Sequence, residues 1–159
     1  MNRDADPFRS GMMGRFHKKM TAMIVTSFFL NLVWEMLQSF LFAPHFSGVA
    51  DFVLIHVIAA CIDIVITICI LLPELFLLDR IIPKKNDWRR FACTAMLGLF
   101  VAVVLERFAL SVGIWSYGPF MPIIPFLGVG LTPVLQMVIL PGIVIGIGTS
   151  AKSDRIGSE

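Results

Sequence analysis

With 159 residues, 57% of them hydrophobic and only 15% charged, the chain lies well below the roughly 25% charge of soluble domains and reads as one domain buried largely in lipid. A formal net charge of +2 excludes the strongly basic surface of a nucleic-acid binder, so no nucleic-acid partner is expected. Cys61, Cys69 and Cys93 sit in apolar runs without C-x-x-C or zinc spacing and read as small buried hydrophobes.

Residues 1–19 form a basic tail with Arg3, Arg9, Arg15, Lys18 and Lys19. The apolar stretch that follows is too long for a signal-peptide core and lacks a small-residue cleavage motif, so it reads as a first span. A spanning helix needs about 20 predominantly apolar residues. Met20–Phe42 meets this, with Asn31, Glu35 and Gln38 as its strongly polar members. Phe52–Leu72 is the second span. Pro73 should end or kink it, leaving a short interfacial piece at Leu75–Leu78. The next loop holds Arg80, Lys84, Lys85, Arg89 and Arg90, with Trp88 as an interfacial anchor. Phe91–Val112 is the third span and Leu131–Gly148 the fourth, short and carrying Pro133 and Pro141.

The segment Gly113–Gly130 holds three prolines and four glycines, which no regular helix accommodates, yet it is too apolar for a solvated loop. It is expected to lie at the outer interface or to fold back over the bundle, with Trp115 and Tyr117 either in an aromatic belt or at the mouth of a polar site. Residues 149–159 form a polar tail with Lys152 and Arg155. Ala43–Asp51 and Phe108–Gly130 carry no lysine or arginine. This asymmetry predicts an all-α, integral membrane four-helix bundle (spans 20–42, 52–72, 91–112 and 131–148) with both termini cytoplasmic and membrane lipids as partners. Gly142 and Gly146 form G-x-x-x-G, which allows close approach of another span or of a second copy in a homodimer.

The functional signal is the set of ionisable residues inside these spans. A charged side chain at mid-membrane costs roughly 3 kcal/mol on insertion scales, so such groups turn toward a protein interior or a water-filled cavity. At about 1.5 Å per residue, Glu35 and Glu106 each rise about 23 Å from the cytoplasmic side. On the same scale His56, Asp63 and Gln136 lie about 6, 17 and 8 Å below the outer surface. All converge on the outer half. Asn31, Glu35 and Gln38 share one helical stripe, His56 and Asp63 another, and Trp34 flanks Glu35.

Glu35 and Glu106 are the candidate catalytic pair, one carrying a proton and the other ionised beside Arg107, a division suited to acid–base work. Asn31, Trp34, Gln38, His56, Asp63, Trp115, Tyr117 and Gln136 are the candidate binding residues. A metal would draw on His56, Asp63, Glu35 and Glu106 with His45, but the Glu-x-x-His pairs of metal-binding bundles are missing, and no metal or other cofactor is expected. Neither Ser39 nor Ser116 lies in a nucleophile motif, and Gly128–Gly130 is no dinucleotide fingerprint.

N-L-V-W-E-M-L-Q (Asn31–Gln38) and W-S-Y-G-P-F-M-P-I-I-P-F-L-G-V-G-L-T-P-V-L-Q (Trp115–Gln136) resemble a group of small, uncharacterised bacterial multi-pass membrane proteins, across most of the chain. The N-x-x-W-E of Asn31–Glu35 is also similar to a stretch of the membrane-integral terpene cyclases of fungal meroterpenoid pathways. In that family the motif glutamate is thought to protonate an epoxidised isoprenoid, which implies Glu35 as the acid here. Those cyclases have more spans and a second acidic residue near the C-terminal end, where this chain has Gln136. The leading expectation is therefore binding or conversion of a lipophilic, isoprenoid-like molecule. A small transporter or proton-relay subunit, and a scaffold whose polar residues only pair helices, are the alternatives.

Overall fold

The computed structural model of the chain describes residues 7–44, 46–73 and 87–150. Four helices dominate: α1 (Pro7–Gln38), α2 (Val49–Pro73), α3 (Asp87–Val112) and α4 (Leu131–Ser150). A 3-10 turn, Ser39–Leu41, closes α1, and two short antiparallel strands, β1 (Ile123–Ile124) and β2 (Val129–Gly130), lie between α3 and α4. Three stretches, Met20–Leu41, Val49–Pro73 and Trp88–Val112, are long and apolar enough to cross a membrane; Leu131–Ile147 is apolar but shorter. The piece expected at Leu75–Leu78, the basic residues Arg80, Lys84 and Lys85, His45 and both extreme tails lie outside the described residues.

Element ends follow local chemistry. α1 is already helical at Pro7, thirteen residues before the apolar run. Its far end tightens into the 3-10 turn, with Phe42 N–H donating to Ser39 O at 3.3 Å. The N–H and Oγ of Ser47 both donate to Asp51 Oδ2 at 3.0 Å, and Asp51 lies in the first turn of α2, where a negative charge suits the helix dipole. α2 is helical through Pro73, and the residues that would show whether that proline ends or kinks it lie outside the described residues.

α4 is the organising element. It packs along α3 and against α1, α1 packs along α2, and α1 and α3 scarcely meet. The seam between α2 and α3 is sparse by comparison. Ile70, Ala102, Val129, Val134 and Met137 form one buried apolar cluster, and Met23, Leu71 and Val144 another. The closest approach of α3 to α4 is backbone on backbone. Pro141 has no N–H to offer the carbonyl of Met137 four residues earlier, and Gly98 lies against that same carbonyl, where a Cβ would sit 2.1 Å from the oxygen. Gly142 faces the Phe91 ring, so that half of the G-x-x-x-G packs within the bundle.

The outward surface is apolar, with Phe29, Leu37, Val65, Phe100 and Phe108 among its exposed side chains. Cys61, Cys69 and Cys93 are exposed as well, not buried as their apolar neighbourhoods suggested, because each falls on an outward helical face. Hydropathy alone does not separate a lipid-facing position from a packed one.

The segment 113–130 folds over one end of the bundle. Phe42 bridges antiparallel to Tyr117, with Ala43 N–H donating to Ser116 O at 2.9 Å and Gly118 N–H to Leu41 O at 2.8 Å. The β1–β2 turn closes through Gly128 N–H to Ile124 O at 3.0 Å, with Phe126 and Gly128 both at positive φ. Met121 and Val129 point down into the bundle and are buried. This end is called the capped end below.

Candidate functional site

The polar stripe of α1 runs Ser27, Asn31, Trp34, Glu35, Gln38, and helical spacing puts these side chains on one side of the helix. Asn31 Nδ2 donates back to Ser27 O at 2.8 Å and Ser27 Oγ at 3.1 Å. Trp34 Nε1 donates to Gln38 Oε1 at 3.2 Å, and Gln38 Nε2 donates to Glu35 Oε1 at 2.8 Å. These local bonds fix rotamers before any other helix contributes.

Gln136 of α4 joins the stripe to α2. Its Oε1 accepts from Gln38 Nε2 at 3.1 Å, while its Nε2 donates to Asn31 Oδ1 at 3.0 Å and to Asp63 Oδ2 at 2.8 Å. Asn31, Gln38, Asp63 and Gln136 are all buried, so each of these bonds replaces contacts that neither water nor lipid could supply. The carboxyl groups of Glu35 and Asp63, brought from α1 and α2, come within hydrogen-bonding reach of each other.

His56 is buried one face-repeat above Asp63. Its Nδ1 lies 2.6 Å from Phe52 O, and because a carbonyl only accepts, Nδ1 carries the proton. The ring packs at 4.3 Å on Phe52 and lies within electrostatic range of Glu35.

Glu106 of α3 is also buried and holds a second group. Tyr117 Oη donates to Glu106 Oε2 and accepts from Gly130 N–H at 2.7 Å. Burial first, and the Glu106 hydrogen bond second, hold the Tyr117 hydroxyl well above its ordinary pKa, so it remains a donor. Gly130 admits this arrangement because its backbone lies against the Tyr117 ring, where a Cβ would sit 3.2 Å from Cε1. Trp115 turns its Nε1 toward Glu106 without reaching hydrogen-bonding geometry, and that N–H is buried with no partner among the described residues. Glu106 is within electrostatic range of both Glu35 and Asp63.

Residues from all four helices and the cap thus gather at the capped end. The neighbour expected for Glu106 differs. Arg107 makes no ion pair with any carboxylate among the described residues, and Tyr117 occupies the position beside Glu106 instead. Adjacent helical residues point about 100° apart, which sends Arg107 outward when Glu106 turns in. Ser27 belongs to the network although its sequence gives only a weak signal, its i−4 spacing from Asn31. Among the described residues no three His, Cys, Asp or Glu side chains are grouped to hold a metal ion. A cavity of ≈ 30 Å³, lined by residues including Met23, Ser27, Thr67 and Leu71, reaches the network only at Ser27. Compared with known protein families, curated proteins and solved structures, the chain finds no match.

Proposed function

We propose that the protein is a four-span membrane protein, both termini cytoplasmic, that binds or converts a lipophilic, isoprenoid-like molecule by acid–base chemistry at the capped end. The observation that carries this reading is the meeting of Glu35 and Asp63 around Gln136, with Glu106 and Tyr117 nearby. Two facing carboxyl groups attract only with a proton between them, so this pair stores one proton and can hand it over. Glu35 is the acid, Asn31 and Gln38 orient the pair through Gln136, and Glu106 with Tyr117 receives a proton from elsewhere on the substrate. Giving one proton and taking another rearranges a carbon skeleton with no oxidant. The sparse α2–α3 seam lies between Asp63 and Glu106 and supports entry from the bilayer.

Mass spectrometry of small molecules that co-purify with the wild type and with Glu35→Gln, both in mild detergent, tests the reading. A specific hydrophobic species enriched or chemically altered between the two samples is expected. Bulk phospholipid alone in both, with folding unchanged, would sink it.

One observation favours a second reading, a proton relay. The hydrogen-bonded ladder from Ser27 to Gln38 follows α1 for about 17 Å, a useful part of a roughly 30 Å hydrocarbon core. Proton flux in vesicles that Asp63→Asn abolishes would support it, and vesicles as tight as protein-free controls would end it.

A further inference from the structure

Arg107 is the lone lysine or arginine between Arg90 and Lys152, and the stretch from Met20 to Asp79 contains none. It is exposed and pairs with no carboxylate among the described residues, although Glu106 precedes it directly in the chain. Its guanidinium instead closes over the cap turn: a Cβ on Gly128, whose φ is +63°, would sit 2.9 Å from Nη1. The side chain lies along the cap turn.

Its height is informative. Trp88, exposed and stacked with Arg89 at 5.5 Å, begins the apolar stretch of α3. Nineteen residues later, at 1.5 Å each, Arg107 stands about 29 Å further along, close to the roughly 30 Å of a hydrocarbon core. Phe108, next to it in the chain, and Phe120 and Phe126 of the cap segment are exposed, apolar side chains suited to the interfacial region. A guanidinium with no ion-pair partner among the described residues, at the depth of lipid phosphates, presents the fork of donors that phosphate oxygens accept.

We infer that Arg107, positioned by Gly128, binds the phosphate of a bilayer-resident amphiphile at the capped end. Binding itself is independent of the acid–base reading. That the bound amphiphile is also the molecule presented to Glu106 rests on that reading.

The test uses the full chain, stripped of lipid in a phosphate-free maltoside detergent and titrated with phosphatidic acid, with diacylglycerol of the same chains, and with inorganic phosphate. Native mass spectrometry and thermal midpoints read binding. Phosphatidic acid is expected to bind the wild type, and Arg107→Gln to weaken it about 10- to 100-fold, the scale of a charged hydrogen-bonded contact. Arg107→Lys should fall between, and Gly128→Ala should weaken binding while keeping the charge. Equal binding of phosphatidic acid and diacylglycerol by the wild type overturns the inference, even if Arg107→Gln fails to fold. So does inorganic phosphate matching phosphatidic acid, since the hydrocarbon chains would then play no part. The Glu35→Gln chain, run alongside, loses conversion under the acid–base reading but keeps phosphate binding, so the two readings fail separately.

Discussion

Gln136 and Asp63, 73 residues apart in the chain, are joined by a 2.8 Å hydrogen bond from Nε2 to Oδ2. Gln136 also serves Asn31 and Gln38, so a single amide holds α1, α2 and α4 in one register. A neutral amide does this without adding a charge to a site already crowded with carboxyl groups.

Gln136→Leu keeps the approximate volume and strands three polar partners. Buried unsatisfied groups cost about 1–3 kcal/mol each and do not add fully, so a loss of about 2–4 kcal/mol is expected in reversible unfolding. A loss under about 0.6 kcal/mol, the average of measured interhelical hydrogen bonds, would mean that the network contributes little to stability.

Glu35 and Asp63 should behave as one unit. Under the proposed chemistry, Glu35→Gln and Asp63→Asn each lower turnover by about 10²- to 10⁴-fold, and the double variant loses little more than either single one. Multiplicative losses in the double variant would instead describe two independent groups.

Tyr117 is the one tyrosine of the chain, so tyrosinate absorbance in the near ultraviolet follows it alone. In the folded protein its ionisation is expected well above the ordinary value of 10.0, and in denaturant near it. The sign follows directly. A hydroxyl whose folded-state pKa is raised contributes stability that is fully present below pH 10 and is lost as the pH climbs above that. Wild-type stability should therefore fall in strongly alkaline solution, and Tyr117→Phe should remove that part of the fall. Ordinary titration near pH 10 in the folded chain would mean the hydroxyl is not held by Glu106.

Gly98→Ala should destabilise more than Gly142→Ala. The first places a Cβ 2.1 Å from the Met137 carbonyl, which is backbone, while the second meets the Phe91 ring at 2.4 Å, and that side chain can rotate. Overpacking of this kind costs about 1–3 kcal/mol, with Gly98 at the upper end. Thermal midpoints of the two variants in detergent rank them, and the reverse order would place the rigid contact on Phe91.

Much of this arrangement is legible in the sequence. Hydropathy locates the apolar stretches, and helical phase places Asn31, Glu35 and Gln38 on one inward side. Depth along each helix brings Asp63, Glu106 and Gln136 to the same end. Three features are not legible, because each depends on a partner distant in sequence. The contact of Tyr117 with Glu106 requires the cap to fold back, and the outward turn of Arg107 follows only once Glu106 is committed inward. The pairing of Gly98 with the carbonyl that Pro141 leaves unbonded joins two residues that look like separate helix weaknesses. The outward cysteines show the same limit, since an apolar run does not say which of its faces meets protein.

The place of Gln136 in the last helix sets an order of events at the ribosome. Asn31 is made 105 residues before it, which at about 5–20 residues per second is roughly 5–20 s. For that interval the newborn α1 and α2 hold two amides and two carboxyl groups without the side chain that later unites them. The unfinished chain must shelter these groups against each other, or against a chaperone, until α4 arrives. Termination before residue 136 would leave that demand standing, which makes truncated chains natural targets for cellular quality control.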